Sequence, residues 1–199
     1  MKIKLNQVVL VEGKYDKIKL SSLLDATILT TDGFGIFKEA EKRALLRRLA
    51  AERGIIVVTD SDGAGRVIRG HIASILPKEQ VVNLYIPKIK GKEARKTAPS
   101  KEGMLGVEGM DADLLRSLFA PYAVESKRAD YVPVDRWRYY EDGFTGGPNS
   151  SHLRADLVKL LDLPDDLSAN AQLTAINLLG GLPLYENALA RMDVPSEEA

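Results

Sequence analysis

The sequence predicts an α/β protein in which a parallel, Rossmann-like sheet is flanked by helices and followed by a small helical domain. In the first part of the chain, short β-branched runs alternate with stretches of helical apolar spacing, as in βαβ units. Residues 55–59 form a continuous aliphatic run, which is typical of a strand buried on both faces. After about residue 135 the apolar spacing is helical only.

The N-terminal elements follow from these patterns in chain order. Runs of aliphatic and β-branched residues predict four strands: Val8–Val11, Thr27–Thr30, Ile55–Thr59 and Val81–Ile86. Apolar residues at helical spacing predict the helices between them: Lys14–Leu24, Glu39–Arg53 with Gly54 as its C-cap, and a helix through Val67 and Ile75 that ends before Pro77.

Lysine and arginine dominate the stretch from Lys88 to Lys101, in which Glu93 is the single acidic residue. Because this stretch contains glycine and proline and has no apolar period, it predicts a mobile basic loop. Beyond it, residues 106–108 predict a short edge strand. Asp111 is placed to N-cap a helix that Pro121 ends.

The C-terminal part is expected to build a core of its own. Four leucines at helical spacing form one apolar stripe that stops at Pro164: Leu153, Leu157, Leu160 and Leu161. Ser168 then caps a second helix that ends at Gly180. Three aromatic residues ahead of these helices are expected to pack in the same core: Trp137, Tyr139 and Tyr140.

These patterns divide the chain into an α/β domain, a linker, a helical domain and a tail. The predicted boundaries are residues 1–122 for the α/β domain, 123–134 for the linker, 135–192 for a small helical domain, and 193–199 for the tail.

Composition restricts the chemistry more than it restricts the partner. The chain has no cysteine, so thiolate metal sites and thiol catalysis are excluded and a metal would need oxygen or histidine ligands. Lysine plus arginine equals aspartate plus glutamate, so net charge gives no argument for nucleic acid. The apolar run Val8–Val11 is too short for a signal peptide or a membrane span, so we expect a cytoplasmic protein without a membrane partner.

Three carboxylates follow the predicted strands. Glu12 comes directly after the first strand, and Asp60 and Asp62 come directly after the strand Ile55–Thr59. Because parallel strands end at the same edge of a sheet, these side chains are expected to lie close together. Their mutual repulsion favours a bound hard cation such as Mg²⁺, with Mn²⁺ as an alternative and either one or two ions. A simpler role for Asp62, as a helix N-cap before Gly63, also fits.

Several motifs together resemble a known family. VEGKYD after a hydrophobic strand and TDSDGAG after a buried strand resemble the toprim pattern. The TDGFG motif, the region from KGK to GVEGM, and the C-terminal GGPNSS and LSANAQL extend the resemblance over most of the chain, and within the toprim group they resemble the ribonuclease M5 family of 5S ribosomal RNA maturation nucleases.

The resemblance implies a Mg²⁺-dependent endoribonuclease that cuts structured, double-stranded RNA. A 5S ribosomal RNA precursor would be its substrate, and the 5S-binding ribosomal protein of the large subunit a possible partner. Glu12, Asp60 and Asp62 match the acidic motif and would be catalytic and metal-binding, with Glu108 as a fourth ligand. Three further residues of the motifs would support the site: Gly13, Asp16 and Gly63.

Basic residues near the predicted site are the candidates for RNA contact. Arg66 and Arg69 follow the acidic turn, where a guanidinium can reach a phosphate. A flexible basic loop can follow a phosphate backbone and release counterions, and its candidates are Lys88, Lys90, Lys92, Arg95 and Lys96.

Three alternatives remain open at the level of sequence. The chain could be a toprim module that binds nucleic acid without cutting it, or a toprim nuclease for another RNA or for DNA. A phosphotransfer or receiver-like α/β protein also places acidic residues at a sheet edge. Stable phosphorylation of Asp60 would distinguish the last of these.

Overall fold

The computed structural model describes residues 1–31, 40–60, 63–93, 97, 103–125 and 132–192. They form two compact units, Met1–Lys127 and Arg128–Ala199. None of the helices in those ranges has the length and apolarity that crossing a bilayer requires.

The N-terminal unit alternates strands and helices. Its strands are β1 (Ile3–Lys4), β2 (Val8–Val11), β3 (Leu24–Asp25), β4 (Ile28–Thr30), β5 (Ile55–Thr59) and β6 (Val81–Tyr85). Its helices are α1 (Lys14–Leu23), α2 (Ala40–Arg53), α3 (Gly63–Ile75) and α4 (Ala112–Phe119). Three short 3-10 turns accompany them, at Lys78–Gln80, Val107–Gly109 and Ala120–Tyr122.

Four of these strands form a parallel sheet in the order β4-β2-β5-β6. Val11 lies opposite Val58 in the pairing of β2 with β5, so both strands reach the same sheet edge within one residue. The short strands β1 and β3 pair in parallel to form a separate two-stranded ribbon. The parallel sheet flanked by helices confirms the α/β class expected for a toprim fold.

Both faces of the central strands are buried, which explains why their sequences are continuously apolar. On one face, Val9 and Val58 pack in a core that includes Leu20 of α1 and Phe119 of α4. Helices α2 and α3 contact β2 and β5 directly. The sheet is therefore rigidly held, and the loops that leave its strands start from well-defined positions.

Most N-terminal elements lie where apolar spacing predicts them. β2 and β5 have the predicted bounds, and Gly54 ends α2 in the left-handed conformation expected of a C-cap glycine, with φ of 73°. Asp111 caps α4 by accepting hydrogen bonds from the backbone N–H groups of Asp113 and Leu114. The two-residue strands β1 and β3 were not predicted, because they are too short to carry a period.

The edge strand predicted at residues 106–108 is wrong. The segment is instead the 3-10 turn Val107–Gly109, closed by a hydrogen bond from Gly109 N to Gly106 O of 3.0 Å. The N–H groups of Gly106 and Val107 donate to carboxylates, at 3.0 and 3.2 Å, so they are not available to pair with a neighbouring strand.

The beginning of the basic segment is paired with a later part of the chain, and its predicted mobility stays a prediction. Lys90 and Met104 form an antiparallel bridge, and Leu105 N donates to Ile89 O at 2.8 Å. These contacts join residues 89–91 to residues 103–105, which follow the basic segment. Residues 94–96 and 98–101 lie outside the described part of the chain.

The C-terminal unit is helical. Its helices are α5 (Arg136–Glu141), α6 (Ser150–Leu160), α7 (Ala169–Leu179) and α8 (Leu182–Met192). Ser168 caps α7 as predicted, since its hydroxyl accepts a hydrogen bond from Ala171 N. The predicted tail, residues 193–199, lies outside the described residues.

An aromatic cluster forms the centre of this unit. The rings of Tyr139 and Phe144 are stacked with centroids 4.9 Å apart, and Tyr185 packs against both. The expectation that Trp137 and Tyr140 join the core is wrong, because they are 65% and 53% exposed. On the short helix α5, only Tyr139 faces inward.

We expect the Tyr139→Phe variant to lose part of the sensitivity of this unit to alkali. Burial raises the pKa of Tyr139 from 10.0 to about 12. The folded state therefore keeps the phenol proton more tightly than the unfolded chain. The corresponding stability is complete below about pH 10 and is lost as the pH rises through about 12.

Urea unfolding between about pH 8 and about pH 11, followed by circular dichroism, checks this expectation. Near neutral pH the variant should be about 1–3 kcal/mol less stable, since Tyr139 Oη donates to the buried Gln172 Oε1 at 3.2 Å. Above about pH 10 its stability should fall less steeply than that of the wild type. If the free energy of unfolding fell equally with pH in the variant and in the wild type, Tyr139 would not be the source of the sensitivity to alkali.

Candidate active site

The sheet brings two of the predicted carboxylates to one edge. Glu12 follows β2 and Asp60 follows β5, and these strands are neighbours in the sheet. Continuing the register by one residue places Glu12 beside Thr59, next to Asp60. Adjacent strands lie about 4.8 Å apart, so the two residues start from neighbouring positions. Asp62 lies outside the described residues.

The Asp60 carboxylate is held by a distant part of the chain. Its Oδ1 accepts a hydrogen bond of 3.2 Å from the backbone N–H of Val107. An N–H donor aimed at a carboxylate favours its ionised form, which is the form that binds cations. The 3-10 turn at Val107 therefore orients Asp60 at the sheet edge.

Arg69 binds the end of strand β5. Its Nη1 donates to Asp60 O at 3.1 Å and to the Thr59 hydroxyl. The guanidinium also lies over the Tyr85 ring, 4.9 Å from its centroid. These contacts make Arg69 part of the scaffold, and its predicted contact with RNA stays a prediction.

Two glycines allow the chain to approach Asp60 closely. A Cβ at Gly65 would overlap the Asp60 carbonyl oxygen, so α3 can begin this near to β5 only with glycine there. A Cβ at Gly106 would lie 2.7 Å from Asp60 Oδ2. Gly63, predicted to support the site, has no described atom within 4 Å of a Cβ built on it. Between β5 and α3, the position that requires glycine for steric reasons is therefore Gly65 and not Gly63.

Glu93 is a member of this site that sequence reasoning missed. Its side chain is only 4% exposed, and its Oε1 accepts a hydrogen bond of 3.0 Å from Gly106 N. A Cβ at Gly106 would lie 3.3 Å from both Glu93 Oε1 and Asp60 Oδ1, so the two carboxylates converge on one glycine. The only available signal was that Glu93 is the single acid in a basic stretch.

The motif residues around Glu12 have local structural roles. Asp16 Oδ2 accepts a hydrogen bond of 3.2 Å from Gly13 N, so Asp16 caps the start of α1. The Glu12 carbonyl accepts from the Thr31 hydroxyl at 3.1 Å. Both contacts fix the turn that leads from β2 into α1.

Glu108 lies on the 3-10 turn at the rim of an open pocket of about 560 Å³. Glu93, Lys92 and Tyr15 also line this pocket. Where the chain is described, no group of three histidine, aspartate or glutamate side chains is close enough to hold a metal ion. The role of Glu108 as a ligand therefore stays a prediction.

The donors of this edge fit a hard cation. Glu12 and Asp60 follow neighbouring strands at this edge, and both side chains end in carboxylate oxygens. Carboxylates are the ligands that Mg²⁺ prefers in proteins. These two carboxylates have the oxygen chemistry that a hard cation requires, and the Mg²⁺ site itself stays a prediction.

The basic candidates are partly described. Arg66, Lys88, Lys90 and Lys92 are exposed, whereas Arg95 and Lys96 lie outside the described residues. Lys92 borders the pocket that Glu93 and Glu108 line. Positive charge is thus available beside the acidic edge within the N-terminal unit.

Comparison with curated proteins identifies the family. The chain is 30% identical over 160 residues to ribonuclease M5 1 of Ligilactobacillus salivarius (strain CECT 5713), which covers 80% of this chain and 78% of that relative. The chain belongs to the ribonuclease M5 family. Ribonuclease M5 of Lactiplantibacillus plantarum is 29% identical over 161 residues, covering 80% of this chain and 81% of that protein.

Further relatives agree with this assignment. Ribonuclease M5 of Streptococcus pneumoniae is 29% identical over 161 residues, which is 81% of this chain and 83% of the relative. No family model matches the chain. The resemblance to the ribonuclease M5 family drawn from the motifs is confirmed.

Alanine at Gly65 should destabilise the chain, whereas alanine at Gly70 of the same helix should not. Helix propensity favours alanine over glycine by up to about 1 kcal/mol. At Gly65 the added Cβ would collide with the Asp60 carbonyl, which is backbone and cannot move aside cheaply. We expect Gly65→Ala to lower the free energy of unfolding by about 1–3 kcal/mol.

The matched control is Gly70→Ala, because no described atom lies within 4 Å of a Cβ at Gly70. This variant should equal or exceed the stability of the wild type. Urea midpoints by circular dichroism measure both. Equal stability of the two variants would show that α3 does not require glycine against Asp60.

Proposed function

We propose that this chain is a Mg²⁺-dependent endoribonuclease that cleaves phosphodiester bonds in structured, double-stranded RNA. We further propose that its substrate is a 5S ribosomal RNA precursor and that it acts in ribosomal RNA maturation in the cytoplasm. The observation that carries this is the Asp60 carboxylate, held by Val107 N–H at the sheet edge beside Glu12, in a member of the ribonuclease M5 family.

The acidic edge would do the chemistry. Glu12, Asp60 and Asp62 would hold Mg²⁺, or Mn²⁺ in its place, with Glu108 as a further ligand. The bound ion supplies positive charge to phosphate oxygens and lowers the pKa of water. Val107 N–H keeps Asp60 aimed at the edge, and Arg69 and Gly65 keep its backbone in place.

Exposed lysines of the N-terminal unit would hold the RNA backbone. Lys88, Lys90 and Lys92 lie on the segment that leads to Glu93. A phosphate backbone bound there would pass beside the Asp60 edge, because Gly106 joins Glu93 to Asp60. We assign Arg66, Arg95 and Lys96 to the same surface, and we assign the helical residues 135–192 to RNA or partner contact.

Substitution of Asp60 or Glu12 by alanine should abolish cleavage and keep most of the affinity for RNA. Each change removes a carboxylate from the sheet edge and leaves the lysines intact. The measurement incubates a 5S ribosomal RNA precursor with the wild type and each variant, with and without Mg²⁺. A parallel set contains the 5S-binding ribosomal protein. Filter binding at the same salt concentration gives the affinity.

The control is Asp113→Ala, which removes an exposed carboxylate that pairs with Arg116 on the surface of α4. It should cut like the wild type, since exposed ion pairs contribute little stability. Cleavage at defined stem positions that requires Mg²⁺ and both acids supports the proposal. Binding without cleavage in every set would indicate a non-catalytic toprim module. Cleavage of another RNA or of DNA, but not of the precursor, would show that the nuclease has a different substrate.

Alanine at Lys88, Lys90 and Lys92 together should weaken RNA binding and flatten its dependence on salt. Each lost phosphate contact reduces the slope of log affinity against log salt by roughly one unit. The control triple variant at Lys2, Lys4 and Lys78 changes the net charge equally. If both triple variants lose the same affinity and slope, general charge rather than this segment governs binding.

A further inference from the structure

Glu93 is buried in a place where burial needs an explanation. A carboxylate removed from water weakens the folded state unless hydrogen bonds satisfy it. Glu93 is 4% exposed, although it lies in a segment otherwise rich in exposed lysines. Its Oε1 accepts from Gly106 N at 3.0 Å. The chain thus directs this acid inward, to the backbone of one particular turn.

That turn is the one that orients Asp60. The N–H of Gly106 donates to Glu93, and the N–H of the next residue, Val107, donates to Asp60 at 3.2 Å. Two successive backbone amides therefore bind two different carboxylates. Because one peptide unit joins them, a displacement of Gly106 would move the Val107 donor as well.

The packing around Glu93 leaves little slack for such a displacement. A Cβ at Gly109 would lie 3.2 Å from Glu93 Cγ and 2.9 Å from Leu105 Cδ2. A Cβ at Gly106 would press on Asp60 Oδ2 at 2.7 Å. The turn therefore packs closely against both Glu93 and Asp60.

We infer that Glu93 is a positioning residue for Asp60, acting through the backbone amides of Gly106 and Val107. This role requires an acceptor oxygen on the side chain at position 93, and it does not require a negative charge there. This role rests on the proposed nuclease activity for the cleavage measurements. The exchange rate of the Val107 amide tests it without that activity.

Two substitutions separate the acceptor from the charge. Glu93→Gln keeps the side-chain length and an acceptor oxygen, whereas Glu93→Ala removes both acceptor and charge. The control Glu79→Ala removes an exposed acid from the 3-10 turn Lys78–Gln80. For each full-length variant, we would measure the single-turnover cleavage rate, the RNA affinity and the melting temperature. In metal-free protein without RNA, nuclear magnetic resonance would give the hydrogen-exchange rate of the Val107 amide.

We expect Glu93→Ala to cut about 10- to 100-fold more slowly, as is common when a partner of a metal-ligating group is lost. Its RNA affinity should stay within about twofold, and its Val107 amide should exchange at least about tenfold faster. Glu93→Gln should restore both the cleavage rate and the amide protection to within about threefold of the wild type. Glu79→Ala should match the wild type.

If Glu93→Gln and Glu93→Ala lowered the cleavage rate and the amide protection equally, the inference would be overturned, because the charge of Glu93 would then be the essential property. An unchanged Val107 amide in Glu93→Ala would overturn it as well. If Glu93→Ala does not fold, Glu93→Gln decides, because it keeps the acceptor oxygen and removes the charge. That variant must keep both the cleavage rate and the protection of the Val107 amide. A wild type that cuts no RNA would refute the proposed function, while the Val107 amide would still test the role of Glu93.

Discussion

The arrangement of the acidic edge depends on one hydrogen bond, from the Val107 backbone N–H to Asp60 Oδ1. It joins the end of strand β5 to a turn that lies 47 residues further along the chain. The parallel register of β2 and β5 brings Glu12 to the same edge. The sheet delivers Asp60 to this edge, and the bond to Val107 gives its carboxylate a direction.

The surrounding structure reinforces this bond from several sides. Arg69 binds the Asp60 carbonyl, and Gly65 leaves room for helix α3 to start beside it. Glu93 anchors the preceding amide at Gly106. A basic segment that contains one buried acid thus places a second carboxylate near Asp60 and carries exposed lysines. This combination suits a polyanionic substrate that must be held beside a cation.

The apolar periodicity of the sequence predicted those strands, helices and caps that depend on neighbouring residues in the chain. β2 and β5 are short aliphatic runs whose bounds follow from burial on both faces, and the cap at Asp111 follows from a local hydrogen bond. Residues far apart in sequence determine what could not be predicted. Glu93 lies inward, where it accepts a hydrogen bond from Gly106, and the amides of Gly106 and Val107 bind carboxylates instead of pairing with a strand.

The C-terminal unit shows the same limit. Apolar spacing predicted α7 and the cap at Ser168, but helix α8 was missed. Composition suggested that neighbouring aromatic residues share one core. Yet α5 turns Tyr139 inward and Trp137 outward, because helical geometry separates residues two positions apart onto different faces.

The most direct test of the acidic edge is Mn²⁺ binding to the full chain without RNA, measured by electron paramagnetic resonance in the wild type and in Asp60→Asn. The substitution keeps the size of the side chain and removes its charge. Our account predicts a Mn²⁺ site in the wild type whose affinity falls at least about tenfold in the variant. Equal binding by both proteins would contradict the claim that Asp60 builds a cation site at this sheet edge.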